Sequence, residues 1–207
     1  MIVQDTVIVT QDTIAEWRKM GPWGKGHNIT TYIQASLQRR QDFKRLGGDT
    51  TLHRDGATCW NTGYTMIHSL IRNRDAVDVF CLHHSEQLEE DPLSLDDWKQ
   101  LADAVSILQP FHSATLSMEG DFSELYNILV ELDFLRATFT KVLQKYQANP
   151  HLHICRAAGE GIIVLDKYRE LYKEHTVCFA AVVLHPSYKW EYFEVAVDRL
   201  ERTEDQL

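Results

Sequence analysis

The residues best suited to chemistry are cysteines, histidines and carboxylates, and their spacing matches no familiar catalytic pattern. The four cysteines lie far apart, so the paired ligands of a zinc finger are absent. Cys81 precedes His83 and His84, a grouping more typical of a helix end than of a metal site. A second group consists of His151, His153 and Cys155. A metal enzyme built on that second group is the least favoured of three functional hypotheses.

The adjacent carboxylates of Asp96 and Asp97 are also explained by a structural role and not by catalysis. Ser94 precedes Asp96 and Asp97, which is the pattern of a helix N-cap followed by acidic residues that favour the helix dipole. No Gly-x-Ser-x-Gly nucleophile elbow occurs in the chain. The sequence therefore predicts no catalytic residue and no metal ligand, and the residues alone favour a helical binding or interaction unit.

The stretch from Asp55 to Tyr64 combines a turn with an aromatic residue. Asp55-Gly56 is a turn signal, Thr58 is a helix N-cap candidate, and Trp60 is the first large apolar residue of the helix that follows. From residue chemistry alone, Trp60 is interpreted as an anchor of the core.

The charge of the chain is negative overall but unevenly distributed. A net charge of −9 argues against avid non-specific binding to nucleic acid. An early segment is nevertheless basic, with Arg18, Lys19, Lys25, Arg39, Arg40, Lys44, Arg45 and Arg54. Residues 86–103 are mainly acidic. The basic segment fits a phosphate-facing surface and a solvated helix face equally well.

Apolar residues recur at helical spacing through most of the chain, which predicts an all-α array of six or seven helices. We expect a loop at Gly21–Gly26, a helix capped by Asn28 and ended by Gly47, a helix of about twenty residues after Tyr64, and a kink or end at Pro110. Residues 177–184 fit a buried strand or a buried helix, and the surroundings favour the helix.

The predicted organisation is a lead-in at residues 1–14, one α-helical domain at 15–200, and a polar tail at 201–207. The pattern also allows a short strand near the N-terminus, at Val7–Val9. No signal peptide or membrane-spanning run is expected, so we predict an intracellular protein.

Several segments, taken in order, resemble fungal hAT-superfamily transposases. Residues 17–29 (WRKMGPWGKGHNI) are similar to the motif W-R-x-x-G-P-[LI]-G-K-L-H-N-I, and residues 33–40 to I-R-A-S-P-Q-R-R. Residues 55–64 match D-x-x-T-R-W-N-S-x-Y. Shorter matches follow at residues 97–98, 111–115, 119–120 and 165–168, and a longer one at 180–193. The resemblance covers residues 15 to 195.

The resemblance implies a part of a transposase and not a complete one. These enzymes have an RNase H-like core with three metal-binding acids, split by a large helical insertion, and this chain looks like that insertion. The acids lie outside the matching region, so no cofactor is expected here and a divalent metal such as Mg is implied only for the full-length family. The family's nuclear location is expected here as well.

The resemblance also suggests where DNA would bind. Trp60 matches the Trp of the family's Arg-Trp motif, which is implicated in stabilising distorted DNA, whereas Cys59 stands where the motif has Arg. The predicted DNA-binding residues are Trp60, Asn61, Thr58, Arg54, Lys25, Arg39 and Arg40.

We therefore expect a truncated transposase-like protein without catalytic activity of its own that retains weak DNA contacts. Its expected partners are transposon ends or hairpin DNA, a full-length transposase, and a second copy held through exposed apolar surface. The alternative is a helical protein–protein interaction module with no nucleic-acid role.

Overall fold

The computed structural model describes residues 11–48, 52–56, 60–119, 124–147, 153–173 and 176–194. Within these ranges the chain forms α-helices and no β-strand, so the prediction of an all-α fold is confirmed. The helices are α1 (Gln11–Arg18), α2 (Pro22–Gln34), α3 (Leu37–Arg45), α4 (Trp60–Arg72), α5 (Arg74–His83), α6 (Leu95–Glu119), α7 (Leu125–Lys145), α8 (His153–Lys173) and α9 (Thr176–Leu184). The strand expected at Val7–Val9 lies outside the described residues.

The chain divides into two compact units, unit 1 at Met1–Gln109 and unit 2 at Pro110–Leu207. The division falls inside α6, which continues through Pro110 to Glu119. The alternative in which Pro110 ends this helix is therefore wrong. The domain boundaries expected at residues 15 and 200 stay a prediction, because two compact units can belong to one domain or to two.

The segment Gly21–Gly26 is helical, and the loop predicted there is wrong. Gly21 takes the N-cap position with a φ of 64°, a left-handed conformation that glycine adopts without strain, and Pro22 follows in the first turn of α2. Gly24 lies so close to α1 that a Cβ added to it would be 1.7 Å from the backbone oxygen of Trp17. The glycines therefore serve close helix packing, a purpose that local sequence does not reveal.

Two helices expected to be continuous are interrupted. α2 ends at Gln34 with Ala35 as its C-cap, and Ser36 adopts an extended conformation before α3 begins. Asn73 separates α4 from α5, and its side-chain amide donates a hydrogen bond to the carbonyl oxygen of Ser69 at 2.8 Å. Asn28, predicted as an N-cap, is instead a buried residue inside α2. These breaks fold the first half of the chain back on itself.

Unit 1 has one apolar core to which five helices and the connecting segments contribute. Its buried residues are Ile29, Ile33, Phe43, Leu52, Met66, Ile67, Leu70, Ala76, Val77, Phe80, Cys81, Leu88, Trp98 and Leu101. α6 begins with the predicted cap, since the Ser94 amide donates to Asp97 Oδ2 at 2.9 Å and the Asp97 amide donates to Ser94 Oγ at 3.1 Å. This reciprocal pair is a capping box, with Asp97 in the role usually taken by Glu.

Unit 2 contains α7, α8 and α9. Leu129 of α7 packs with Cys178 and Val182 of α9, and residues 177–184 are helical as predicted. α8 lies along α7, where Gly161 approaches the Phe139 ring so closely that an added Cβ would be 2.1 Å from Cε2. None of the helices in the described ranges is long and apolar enough to cross a membrane.

Candidate nucleic-acid interface

Three of the segments singled out in the sequence meet around the first turns of α2. His27 of α2 contacts Asp55, and the Trp23 ring lies against Gly63 of α4, where an added Cβ would be 2.6 Å from Cζ2. On α6, Asp97 pairs with Lys25. Segments separated by 28 to 72 residues in sequence are thus brought into contact. Two of the three contacts join α2 to the segment 55–64.

His27 is held between an aromatic ring and a carboxylate. Its imidazole stacks on the Trp17 ring with centroids 3.6 Å apart and an interplanar angle of 9°. Its Nδ1 lies 2.6 Å from Asp55 Oδ1, and its Nε2 lies 3.5 Å from Thr31 Oγ1. Both partners of the His27–Asp55 pair are largely buried, with side-chain exposures of 19% and 10%. The pair ties the segment before α4 to α2.

The segment 52–56 is anchored along its length. Leu52 is buried, and its carbonyl oxygen accepts a hydrogen bond from Gln34 Nε2 at 2.6 Å. The His53 amide donates to Ser69 Oγ at 3.2 Å, and the Gly56 amide donates to Thr62 Oγ1 at 2.6 Å. These contacts fix the approach to α4 from both sides of the segment.

A buried carboxylate joins α1 and α2 to the linker before α6. Asp91 is 1% exposed and receives two hydrogen bonds from the Arg18 guanidinium, from Nε at 2.8 Å and Nη2 at 3.0 Å. Asn28 Nδ2 donates to the same carboxylate at 3.0 Å. The hydrogen bond to Asp91 raises the pKa of Arg18 further above its ordinary value. A forked guanidinium–carboxylate pair of this kind is strong and strict in its geometry.

Lys25 and Asp97 form an ion pair 2.9 Å long at the start of α6. Burial by itself would raise the pKa of Asp97, but hydrogen bonds from Ser94 and Lys25 outweigh it and lower the pKa below its ordinary value. The Lys25 ammonium therefore has an intramolecular role. Its predicted contact with DNA would have to compete with this pair.

The remaining predicted DNA-binding residues differ in what they contact. The Arg39 guanidinium lies 3.9 Å above the Tyr32 ring centroid and donates to the Tyr32 carbonyl oxygen at 2.7 Å. Arg40 and Arg54 are exposed, and Asn61 is half-buried in the first turn of α4. Trp60 begins α4. Thr58 lies outside the described residues.

The residues suggested for metal binding do not form a ligand set in the part of the chain that the structure describes. No group of three or more His, Cys, Asp or Glu side chains there could hold a metal ion. Cys81 is buried, which raises the pKa of its thiol to about 12, and the thiolate that a metal requires is disfavoured. His84 stacks on Phe80 with centroids 4.2 Å apart. His151 lies outside the described residues.

The His27–Asp55 pair and the Arg18–Asp91 pair do not follow from the sequence. Its pattern indicates a turn at Asp55, and places Arg18 in a basic segment and in a motif match. Both pairs join residues at least 28 positions apart, a distance over which helical periodicity carries no information. The signal available in one sequence is that Arg18, His27 and Asp55 fall inside segments with ordered motif matches, whereas Asp91 lies in none.

Comparison with known proteins places the first half of the chain in a described family. Residues 1–107 match the family model of the ZBED1 RNase-like helical domain. The matching range ends within α6, close to the end of unit 1. No curated protein and no solved structure matches the chain.

Proposed function

The chain belongs to the family of the ZBED1 RNase-like helical domain, and on that basis we propose that it contacts DNA at the start of α4. It is a hAT-like, transposase-derived helical region. The proposed ligand is branched or hairpin DNA of the kind found at transposon ends. The proposed role is weak binding, without strand transfer by this chain itself. A full-length transposase is the proposed protein partner, and the nucleus is the proposed location.

The observation that carries the proposal is the packing of the motif segment 55–64 against α2. Because His27 contacts Asp55 and the Trp23 ring lies against Gly63, the described residues 52–56 and the first turns of α4 are held against α2. A surface that must receive a rigid duplex end needs such a fixed position, since ordering a loose segment on binding costs affinity.

The start of α4 has the physical properties of a phosphate-binding position. Its first turn contains no acidic residue, so the positive end of the helix dipole is not neutralised there. Arg54 precedes the helix and is exposed, and Arg40 is exposed on α3. A Trp at the first helical position can stack on an unpaired base, which is worth about 1–3 kcal/mol.

Lys25 and Arg39 support this surface indirectly. Lys25 holds α2 to the start of α6, and Arg39 closes the end of α2 by bonding to a free carbonyl. Of the basic residues predicted to bind DNA, Arg40 and Arg54 are therefore the stronger candidates for direct phosphate contacts. Lys25→Ala and Arg39→Ala are expected to act mainly through stability.

The proposed absence of strand transfer by this chain has two supports. Three buried or half-buried acids of unit 1 are engaged in folding, since Asp55, Asp91 and Asp97 each bond to a side chain of that unit. Cys59 also stands where the family motif has Arg, and a thiol cannot replace a guanidinium in holding a phosphate.

The test is salt-dependent binding of fluorescent hairpin DNA, measured by anisotropy. We expect weak binding at low salt that is reduced about tenfold by Trp60→Ala, because one stacked base is lost. Arg40→Ala/Arg54→Ala should weaken binding to all sequences alike and flatten the salt dependence. Arg72→Ala is the matched control, because Arg72 is an exposed arginine at the opposite end of the same helix.

The outcomes separate the two functional classes. Equal losses in Trp60→Ala and Arg72→Ala would show that binding is non-specific and would remove the proposed site. No binding at low salt, together with capture of a protein partner in the absence of DNA, would favour the alternative of a protein–protein interaction module.

A further inference from the structure

Helix α3 lies almost entirely at the surface of unit 1. Of its nine residues only Phe43 is buried, and Arg39 and Asp42 are half-buried. The other six side chains are exposed and none of them is acidic; they are Leu37, Gln38, Arg40, Gln41, Lys44 and Arg45. We call these six residues the α3 face. It carries three cations in a chain of 30 acidic and 21 basic residues, so its charge is opposite to that of the chain as a whole.

The inner side of α3 is anchored to unit 1, which fixes the direction of the α3 face. The Phe43 ring meets the Phe80 ring edge-on, with centroids 5.9 Å apart. Arg39 lies over the Tyr32 ring and donates to the Tyr32 carbonyl oxygen at 2.7 Å. Because both contacts lie on the inner side of the helix, the α3 face cannot turn toward the core without breaking them.

The six side chains of the α3 face have a definite order around the helix. With successive residues about 100° apart, they span an arc of about 160°. In order around this arc they are Arg40, Lys44, Leu37, Gln41, Arg45 and Gln38. Two cations therefore lie on one flank and a third lies on the other flank, whereas the centre of the face is uncharged.

The cations of the α3 face are poorly neutralised within the chain. Arg40 and Lys44 form no ion pair in the part of the chain that the structure describes. They lie four residues apart, a spacing at which like charges on a helix destabilise it. Arg45 pairs with Asp42 at 2.9 Å, but this pair is exposed and contributes little. A bound polyanion would relieve the repulsion between Arg40 and Lys44 and would displace Asp42 at small cost.

The order of these side chains fits the major groove of duplex DNA. That groove is about 12 Å wide and admits an α-helix. Cations on both flanks of α3 would face the phosphates of both strands. At the centre, a glutamine amide can pair with N6 and N7 of adenine, and an exposed leucine can contact the methyl group of thymine. A membrane surface fits less well, because membrane-bound helices bury an apolar stripe and Leu37 is the one apolar residue of the α3 face.

We propose that α3 binds in the major groove of duplex DNA, where Arg40 and Lys44 contact the phosphate backbone and Gln41 recognises adenine. This inference rests on the proposed function, since DNA is the ligand in both. It adds a second contact surface and a preference for A·T base pairs. The start of α4 would hold an unpaired base, whereas the α3 face would hold paired ones.

The test is the binding of the full chain to two fluorescent duplexes of equal length, one of A·T and one of G·C base pairs, measured by anisotropy. We expect the A·T duplex to bind about tenfold more tightly, and Gln41→Ala to lose this preference. Replacing adenine by 7-deazaadenine should also remove most of the preference, because this base lacks the N7 acceptor in the major groove. Lys44→Ala should weaken the binding of both duplexes alike and reduce its salt dependence.

Gln87→Ala is the matched control, because Gln87 is an exposed glutamine of unit 1 that lies outside α3. It should leave both affinities unchanged. Equal binding of the two duplexes by the wild-type chain would overturn the proposal. So would a preference that neither Gln41→Ala nor 7-deazaadenine reduces, or a Lys44→Ala variant that binds as well as Gln87→Ala.

The two proposed DNA contacts fail in different ways. Hairpin binding that depends on Trp60, without discrimination between the duplexes, would overturn the contact at α3 alone. Discrimination between the duplexes, with hairpin binding that Trp60→Ala does not reduce, would overturn the contact at the start of α4 alone. No binding of any of these DNAs at low salt would overturn both.

Discussion

At the scale of single residues, several side chains of the segment 17–28 make contacts that stabilise unit 1. Trp17 stacks on His27, Arg18 forks onto the buried Asp91, and Gly24 permits the closest approach between α1 and α2. Each of these contacts depends on the chemistry or the size of one side chain. Substitutions there are expected to lower the stability of unit 1 more than they affect the proposed binding of DNA.

Gly24→Ala should destabilise unit 1. The added methyl group would meet the Trp17 carbonyl oxygen at 1.7 Å, so α1 must shift away from α2. We expect a loss of about 2–3 kcal/mol, at the upper end of the cost of overpacking. The measurement is urea unfolding followed by tryptophan fluorescence, which reports mainly on unit 1 because four of the five tryptophans lie there.

Gly159→Ala is the matched control for this prediction. Gly159 also lies inside a helix, but an added Cβ would meet nothing within 4 Å. The substitution should therefore stabilise α8 by about 0.5–1 kcal/mol through helix propensity. Similar losses in the two alanine variants would show that packing against Trp17 is not the cause.

Arg18→Met should also destabilise unit 1 strongly. It removes the forked partner of Asp91 and leaves a buried carboxylate with the Asn28 amide alone among its described side-chain partners. Breaking a buried pair in this way costs about 3 kcal/mol or more. In comparison, Arg45→Ala breaks the exposed pair with Asp42 and should cost under about 1 kcal/mol. If Arg18→Met and Arg45→Ala lower the free energy of unfolding in urea by the same amount, burial of the ion pair does not determine its contribution.

At the scale of elements, the start of α6 is the point where helix capping and tertiary structure coincide. Asp97 accepts from the Ser94 amide within its own capping box and from Lys25 of α2. The same carboxylate thus caps the N-terminus of α6 and also attaches α2 to that helix. Its charge state should control both.

Stability should fall in acid as Asp97 is protonated. The pKa of Asp97 in the folded chain is below its ordinary value of 3.8, so its charged form is favoured by folding. The contribution is fully present above that ordinary value and is lost as the pH falls through the lower folded pKa. Asp97→Asn removes a charged acceptor of the capping box and of Lys25, so it should cost about 1 kcal/mol at neutral pH, in the range of one lost hydrogen bond, and flatten the acid limb of the stability profile.

Thermal unfolding at a series of pH values provides the measurement. Asp96→Asn is the control, because Asp96 is an exposed neighbour in the same first turn. If both variants show the same acid limb as the wild-type chain, Asp97 does not contribute to it.

Helices are predicted well from the sequence where local signals determine them. They are predicted poorly where contacts between residues far apart in the chain determine them. The Ser94 cap and the helical state of residues 177–184 follow from local signals. The helical state of residues 22–26 does not, because Gly24 lies against Trp17 of α1 and Gly26 against Ile67 and Leu70 of α4. Asn28 is similar: its amide is used by Asp91, 63 residues away, and not by its own helix start.

At the scale of the whole molecule, the chain consists of two compact units. The proposed DNA contact lies in unit 1, with nearly all of the family match. Each unit contains buried cysteines, Cys81 in unit 1 and Cys155 and Cys178 in unit 2. The thiols can therefore report on each unit separately.

Pulsed alkylation with mass spectrometry should show that the units open independently. The protonated, buried Cys81 should react slowly in the wild-type chain. Gly24→Ala should accelerate labelling of Cys81, because a destabilised unit opens more often, and leave Cys155 and Cys178 nearly unchanged. Equal acceleration at all three thiols would mean that the chain unfolds as one cooperative unit.

The close approach at Gly24 also affects how homologues of this chain should be judged. A descendant that no longer touches DNA must still fold, and to fold in this way it must keep a residue without a side chain at that position. The same holds for the arginine that neutralises Asp91. A shared motif over residues 17–28 is therefore a record of inherited architecture. If the proposed function holds, DNA binding by a relative is better judged from the exposed positions of Arg40 and Arg54, which make no such packing contact.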